Sequence, residues 1–132
     1  MEIGSFLELQ LPKGHEFYNQ ETDIARLNTG RMGIWHAFRV MGCKRIWIPV
    51  YQCDSIRETL KKKGVEICFY HQDKDWNPLD IEAMDDDAIL LVNYYGIMSS
   101  GRMAELAKPY KHVIIDCAQA FFCCPVESTL MV

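Results

Sequence analysis

One feature constrains this chain more than any other: short apolar runs rich in β-branched and aromatic residues alternate with segments whose apolar residues recur at helical spacing. Arg45-Ile46-Trp47-Ile48, Val65 to Tyr70, Ala88 to Asn93 and His112 to Ile115 read as strands. Ahead of the first strand, Ile34, Phe38 and Met41 fall at i, i+4 and i+7 and give the segment from Arg31 to Met41 one buried stripe. Parallel strands need long, usually helical crossovers, so this order predicts an α/β fold built on a mostly parallel sheet with flanking helices.

Local punctuation places the boundaries. Asn28-Thr29-Gly30 suits a cap for the first helix and Gly42 a stop, while Pro49 ends the first strand. Ser55 and Glu58 have the spacing of a capping box for a helix that Gly64 ends. A third helix is expected from Gly101 or Arg102 to Lys108, capped by Ser99 or Ser100 and followed by Pro109. The polar, acidic stretch from His71 to Asp87 contains Trp76-Asn77-Pro78 and reads as loop, with a short helix around Asp80 to Met84. Cys117 to Val132 carries no recognisable closing element. No repeat is present, so residues 1–132 read as a single domain: an N-terminal arm over about 1–22, then an α/β core over 23–122.

Composition serves to exclude. With 132 residues, 49% of them hydrophobic, the chain can bury roughly two thirds of its unfolded surface without disulfide or metal staples. A net charge of -4 provides no broad basic field, and the cationic run Lys61-Lys62-Lys63 sits where a helix C-terminus attracts it, so nucleic acid is not an expected partner. The first residues lack the basic start and apolar core of a secretory signal, and no run reaches membrane-spanning length; a cytoplasmic location is the expectation. Six cysteines form no CxxC pair and mostly sit in apolar segments, which suits reduced core residues, with vicinal Cys123-Cys124 the one redox spot to consider. The four histidines do not assemble, and no metal site is expected.

Ligands of open α/β sheets bind beyond the carboxyl ends of the strands, which directs attention to a few loops. In Thr29-Gly30-Arg31 a hydroxyl, a backbone free of Cβ and a guanidinium stand at a helix start, a pattern suited to an anion and equally to a capped helix with a surface arginine. Asp116 leaves a hydrophobic strand and is followed by Cys117-Ala118-Gln119-Ala120, whose small residues admit a flat ligand; such a carboxylate pairs with a protonated ring nitrogen or simply caps the next turn. Asn93-Tyr94-Tyr95-Gly96 is a third strand-end cluster, suited to a pocket wall or to the core.

Taken in order, Asn28-Thr29-Gly30-Arg31-Met32-Gly33-Ile34, Ile48-Pro49-Val50-Tyr51-Gln52-Cys53, Val92-Asn93-Tyr94-Tyr95-Gly96 and Ile114-Ile115-Asp116-Cys117-Ala118-Gln119-Ala120 resemble successive landmarks of the DegT/DnrJ/StrS-type, or sugar, aminotransferases. The resemblance runs from about Asp23 to Phe122, and Asp-x-Ala-Gln-Ala is its most specific element. It implies the large domain of the aspartate-aminotransferase fold, here incomplete, and pyridoxal 5'-phosphate (PLP) as cofactor. It further implies that Thr29, Gly30 and Arg31 hold the phosphate, Asp116 pairs with the pyridine nitrogen and Gln119 contacts the ring or its 3-hydroxyl. The family's stacking aromatic residue near Cys53 is absent, which passes stacking to Tyr51, Tyr94 or Tyr95.

Relatives of this kind move an amino group from an amino acid to a keto substrate, sugars among them, and a homodimer or partner chain is expected. The family's Schiff-base lysine lies beyond the Asp-x-Ala-Gln element, and no lysine follows Asp116, so this chain reads as truncated and without a catalytic anchor. Lys74 is on the ligand side, but Asp73 and Asp75 flank it and would raise its amine pKa. The alternative expectation is a non-catalytic α/β binding or interaction module, whose uncovered sheet edge would invite association.

Overall fold

The computed structural model describes Gly14 and residues 24–132. Gly14 apart, the expected N-terminal arm lies outside the described residues, as does His15. In chain order the elements are α1 (Gly30–Met41), β1 (Arg45–Pro49), α2 (Asp54–Lys62), β2 (Glu66–Gln72), β3 (Pro78–Leu79), β4 (Asp87–Val92), a single 3-10 turn (Tyr94–Gly96), α3 (Ser100–Ala107), β5 (His112–Asp116) and β6 (Thr129–Met131). They form one sheet in the order β3-β2-β1-β4-β5-β6, parallel throughout except where β3 turns back against β2. The α/β class with a mostly parallel sheet and flanking helices is the architecture that forms.

Handedness decides where the helices go. A right-handed crossover from β1 to β2 moves along the sheet in one direction, and one from β4 to β5 moves in the other, so α2 and α3 must cover opposite faces. The buried residues confirm it. On one face α1 and α2 lay Ile34, Phe38, Ile56 and Leu60 over Ile46, Ile48, Leu90 and Ile114; on the other, Met103 and Leu106 of α3 cover Ile89, Leu91, Val113 and Ile115. β4 is buried along all six residues because it lies at the centre and sends alternate side chains into both cores. Full burial of a side chain such as Ile34 or Leu60 contributes about 1.5–3 kcal/mol.

Four local expectations are corrected. No helix forms at Asp80 to Met84: Asp80 has a left-handed φ of 60°, and the backbone N–H of Met84 donates to Asp87 Oδ2 at 2.7 Å, tying the segment to the start of β4. The Ser55–Glu58 capping box does not close; the N-cap of α2 is Cys53, two residues earlier, and the Ser55 hydroxyl lies 3.2 Å from Cys53 Sγ. Thr29 is the N-cap of α1, but its side chain makes no capping bond. The last residues do have an ordered element: β6 pairs with β5, and Val132 continues the ladder through Val132 N to Ile115 O at 2.9 Å. Three residues are too few to show a period.

Among the described residues, no helix is long and apolar enough to cross a membrane. The sheet reverses its winding between β1 and β4, so a crevice opens beside their carboxyl ends.

Candidate functional site

Strand ends and one helix start meet over that crevice around a cavity of about 310 Å³. The start of α1 supplies Thr29, Gly30 and Arg31, and the turn from β1 into α2 supplies Gln52, Cys53, Ser55 and Ile56. Val92 and Tyr94 arrive from the end of β4, while Asp116, Ala118 and Gln119 close the remaining wall beyond β5. Of the residues singled out in the sequence, Thr29, Gly30, Arg31, Asp116 and Gln119 are thus brought to one cavity, from opposite ends of the described chain.

Tyr51 is not on its lining. Its side chain is 62% exposed, and its ring lies 5.5 Å from that of Tyr94 and 6.3 Å from that of Trp76. Tyr94 takes the inner position: it stacks on Trp76 at 4.4 Å, and its hydroxyl sits 2.5 Å from the Tyr51 carbonyl and 3.1 Å from Gln72 Oε1. Burial, and then the nearby Asp116 carboxylate, raise the Tyr94 phenol well above its ordinary value, so it remains a neutral donor. Asn93 is not on the cavity's lining and pins the following turn, donating from Nδ2 to Met98 O at 3.0 Å and accepting from Met98 N at 3.1 Å.

Among the described residues, two buried polar atoms at the cavity have no hydrogen-bond partner: Thr29 Oγ1 and Gln52 Nε2. Orphaned groups of this kind are costly in a folded protein and mark places where a ligand or water completes the bonding. Thr29 Oγ1 stands at the N-terminus of a 12-residue helix, where the first backbone N–H groups and the helix dipole favour an anion. A Cβ on Gly30 would meet nothing within 4 Å, so protein packing does not demand glycine there; its absence leaves the backbone open.

Asp116 is 8% exposed, and its Oδ1 accepts from the backbone N–H of Ala118 at 2.9 Å. Burial raises its pKa; the Ala118 N–H and the Gln52 amide oppose the shift without cancelling it. The Gln52 amide is close enough to favour the charged carboxylate, yet its Nε2 is not in hydrogen-bonding geometry. The site therefore holds a carboxylate short of compensating positive charge. Gln119 is partly committed, since its Oε1 accepts from Tyr95 N at 2.9 Å, which leaves its amide hydrogens to a ligand.

The residues that sequence reasoning missed are Gln52, Ser55 and Ile56, together with Cys53 in its role as a wall. Their signal is position, immediately after the carboxyl end of β1 at the switch in winding. The hydrogen bond with Ser55 lowers the Cys53 thiol pKa from its ordinary value. Among the described residues, no lysine lines the cavity; Lys74 is exposed, its Nζ 3.6 Å from Asp75. No group of three His, Cys, Asp or Glu side chains among the described residues is arranged to hold a metal ion.

No family model and no curated protein sequence matches the chain. Solved structures that resemble it include a candidate aminotransferase from Burkholderia pseudomallei, at a TM-score of 0.46 and 17% identity over 66% of this chain and 28% of that one. Another is a sphingosine-1-phosphate lyase from the same organism, at a TM-score of 0.45 and 17% identity over 67% of this chain and 25% of that one. This chain thus matches about a quarter of the length of each, 28% and 25%.

Proposed function

We propose that the cavity binds pyridoxal 5'-phosphate and that the chain is an aminotransferase-like protein of the DegT/DnrJ/StrS type, with the PLP-dependent transferase fold. The observation that carries this reading is the shared cavity: an anion-suited helix start at Thr29-Gly30-Arg31 and a buried, undercompensated carboxylate at Asp116 line one space. A ligand with a phosphate at one end and a ring cation at the other satisfies both. The volume of about 310 Å³ falls at the lower end of the roughly 300–1,000 Å³ range of small-molecule sites.

The residues divide the work by chemistry. Thr29 Oγ1 and the first N–H groups of α1 donate to phosphate oxygens, and Arg31 adds charge. Asp116, ionised, holds a proton on the pyridine nitrogen, and the cation in turn favours the charged carboxylate that burial disfavours. Ala118 is small enough for a flat ring to lie close, and the Gln119 amide donates to the ring's 3-hydroxyl oxygen. When bound, PLP supplies an electron sink for the negative charge that develops on an amino-acid carbon. Members of that family use such chemistry to pass an amino group from an amino acid to a keto compound, sugars among them.

One observation favours a second reading, a ligand-binding scaffold without turnover: among the described residues no lysine lines the cavity, so they hold a ligand by noncovalent contacts alone. Absorption spectroscopy tests the binding. Titrating PLP into the protein is expected to shift the ring absorption, and Asp116→Ala to abolish the shift. Borohydride treatment then separates the two readings of the chain itself: recovery of PLP without a lysine adduct supports the scaffold, whereas an adduct on Lys74 would overturn the noncovalent account.

A further inference from the structure

The loop that carries Asp116, Ala118 and Gln119 also brings two thiols into contact. Cys123 Sγ lies 3.2 Å from Cys117 Sγ, inside the ordinary contact distance of two sulfur atoms. The backbone accounts for the approach. Ala120 N donates to Cys117 O at 2.7 Å and Cys123 N donates to Ala120 O at 3.0 Å, two successive three-residue turns. The two turns fold the loop back on itself between residues 117 and 123, and the two thiols meet across it. The vicinal pair in the sequence, Cys123 and Cys124, is not the pair in space: Cys124 is exposed, and its carbonyl accepts from Ser100 Oγ at 3.1 Å.

We infer that Cys117 and Cys123 form a dithiol modification site that closes to a disulfide across the Asp116 loop when a low-molecular-weight disulfide such as oxidised glutathione is present. The order of events follows from access. Cys117 is buried and Cys123 only half-buried, so Cys123 meets the reagent first. Its thiolate attacks one sulfur of glutathione disulfide, the reagent's S–S bond breaks, and one glutathione leaves, taking up a proton. Cys117 then gives up its proton to solvent and attacks Cys123 Sγ; the mixed disulfide breaks and the second glutathione leaves. Two protein thiols are oxidised and one small disulfide is reduced to two thiols. Burial holds the Cys117 thiol well above its ordinary pKa, which makes the second step the slow one, offset by direct contact between the two sulfurs.

The bridge would tie down the segment whose Ala118 and Gln119 line the cavity. That consequence for the ligand rests on the PLP reading above; the bridge itself does not. The two fail separately, because the crosslink is read by mass and the ligand by absorption.

The test uses the full chain, folded, incubated with oxidised glutathione, quenched with N-ethylmaleimide and digested with trypsin. No lysine or arginine follows Lys111, so Cys117, Cys123 and Cys124 fall in one peptide, residues 112–132. The expected product has lost two hydrogens and carries one maleimide, on Cys124. Cys124→Ser should still crosslink and Cys123→Ser should not; Cys123→Ser also keeps the test open if replacement of buried Cys117 prevents folding. A bridge between Cys123 and Cys124, or three maleimides in the peptide at every ratio of oxidised to reduced glutathione, would overturn the inference.

Discussion

Asp116 and Ala118 form a closed local unit: the Ala118 N–H donates to Asp116 Oδ1 at 2.9 Å and fixes the carboxylate at the rim of β5, on the cavity whose opposite wall begins at Thr29. The Ala118 N–H and the nearby Gln52 amide do not offset the burial of that carboxylate, and its pKa stays raised. The side chain is placed for a ligand at a cost to the protein alone.

Asp116→Asn should therefore stabilise the ligand-free protein while destroying the site. A carboxyl whose folded-state pKa is raised contributes stability that is fully present below its unfolded pKa and is lost as pH rises through the folded value. A neutral amide avoids that loss, because it has no carboxylate to ionise in the buried site. Thermal melts should show a higher Tm for the variant at pH 7, and the difference should shrink as pH falls below the ordinary carboxylate range. PLP should no longer perturb either the melt or the absorption spectrum. A variant less stable than the parent at pH 7 would mean that the carboxylate is already compensated.

Thr29→Val separates the phosphate from the ring. Thr29 Oγ1 has no hydrogen-bond partner among the described residues, so its removal deletes an unsatisfied buried atom and should leave the unfolding free energy within about 0.5 kcal/mol of the parent. A hydrogen bond to a charged oxygen contributes about 1.5–3 kcal/mol, so PLP affinity should fall by roughly 10- to 100-fold. Pyridoxal, which lacks the phosphate, should bind both proteins equally. Equal losses for the two ligands would remove Thr29 from the phosphate site.

How much of this was legible in the residues follows from the range of each interaction. The Thr29-Gly30-Arg31 turn and the strand-end Asp116 carry local signals, a hydroxyl and a glycine before an apolar stripe and a carboxylate after an apolar run, and both line the site. Gln52 carries none; it matters because β1 borders the switch in winding, a property of the whole sheet. Trp76 sat in a stretch read as loop, yet its ring stacks on Tyr94, a pairing across the sheet that no spacing rule encodes. Asp87 closes the acidic stretch in the sequence, yet it is a buried strand residue, because Arg45 and Trp47 reach it from β1. β6 leaves no local signal, because its pairing with β5, not its own three residues, makes it a strand.

Asp87 leads to the opposite pH behaviour from Asp116. Its Oδ1 accepts from Arg45 Nε at 2.6 Å, and its Oδ2 accepts from Trp47 Nε1 at 3.1 Å and from Met84 N at 2.7 Å. Burial alone pushes its pKa up, but Arg45, the Met84 N–H and Trp47 together outweigh burial and leave it lowered. A lowered folded-state pKa contributes stability above the unfolded value that is lost as pH falls through the folded one. Asp87→Ala strands three donors and should cost on the order of 3 kcal/mol in urea unfolding at pH 7, with a smaller loss on acidification than the parent shows. PLP binding, at the other end of the strands, should survive in whatever fraction remains folded.

Gly96→Ala and Gly42→Ala together isolate a contact at the site from backbone strain. Both glycines have left-handed φ, 66° and 68°, so alanine at either incurs a conformational cost of roughly 1–2 kcal/mol. At Gly42 a Cβ would meet nothing within 4 Å, whereas at Gly96 it would come within 3.0 Å of the Gln119 carbonyl and 3.5 Å of Ala120. The Gln119 backbone must therefore yield in the Gly96 variant, and with it the side chain whose Oε1 holds Tyr95 N at 2.9 Å. Both variants should lose Tm, but only Gly96→Ala should also weaken the PLP absorption change when the two are compared at a temperature where each is fully folded. If Gly42→Ala weakens binding as much, the loss reports general loosening of the fold and not the approach of Gly96 to Gln119.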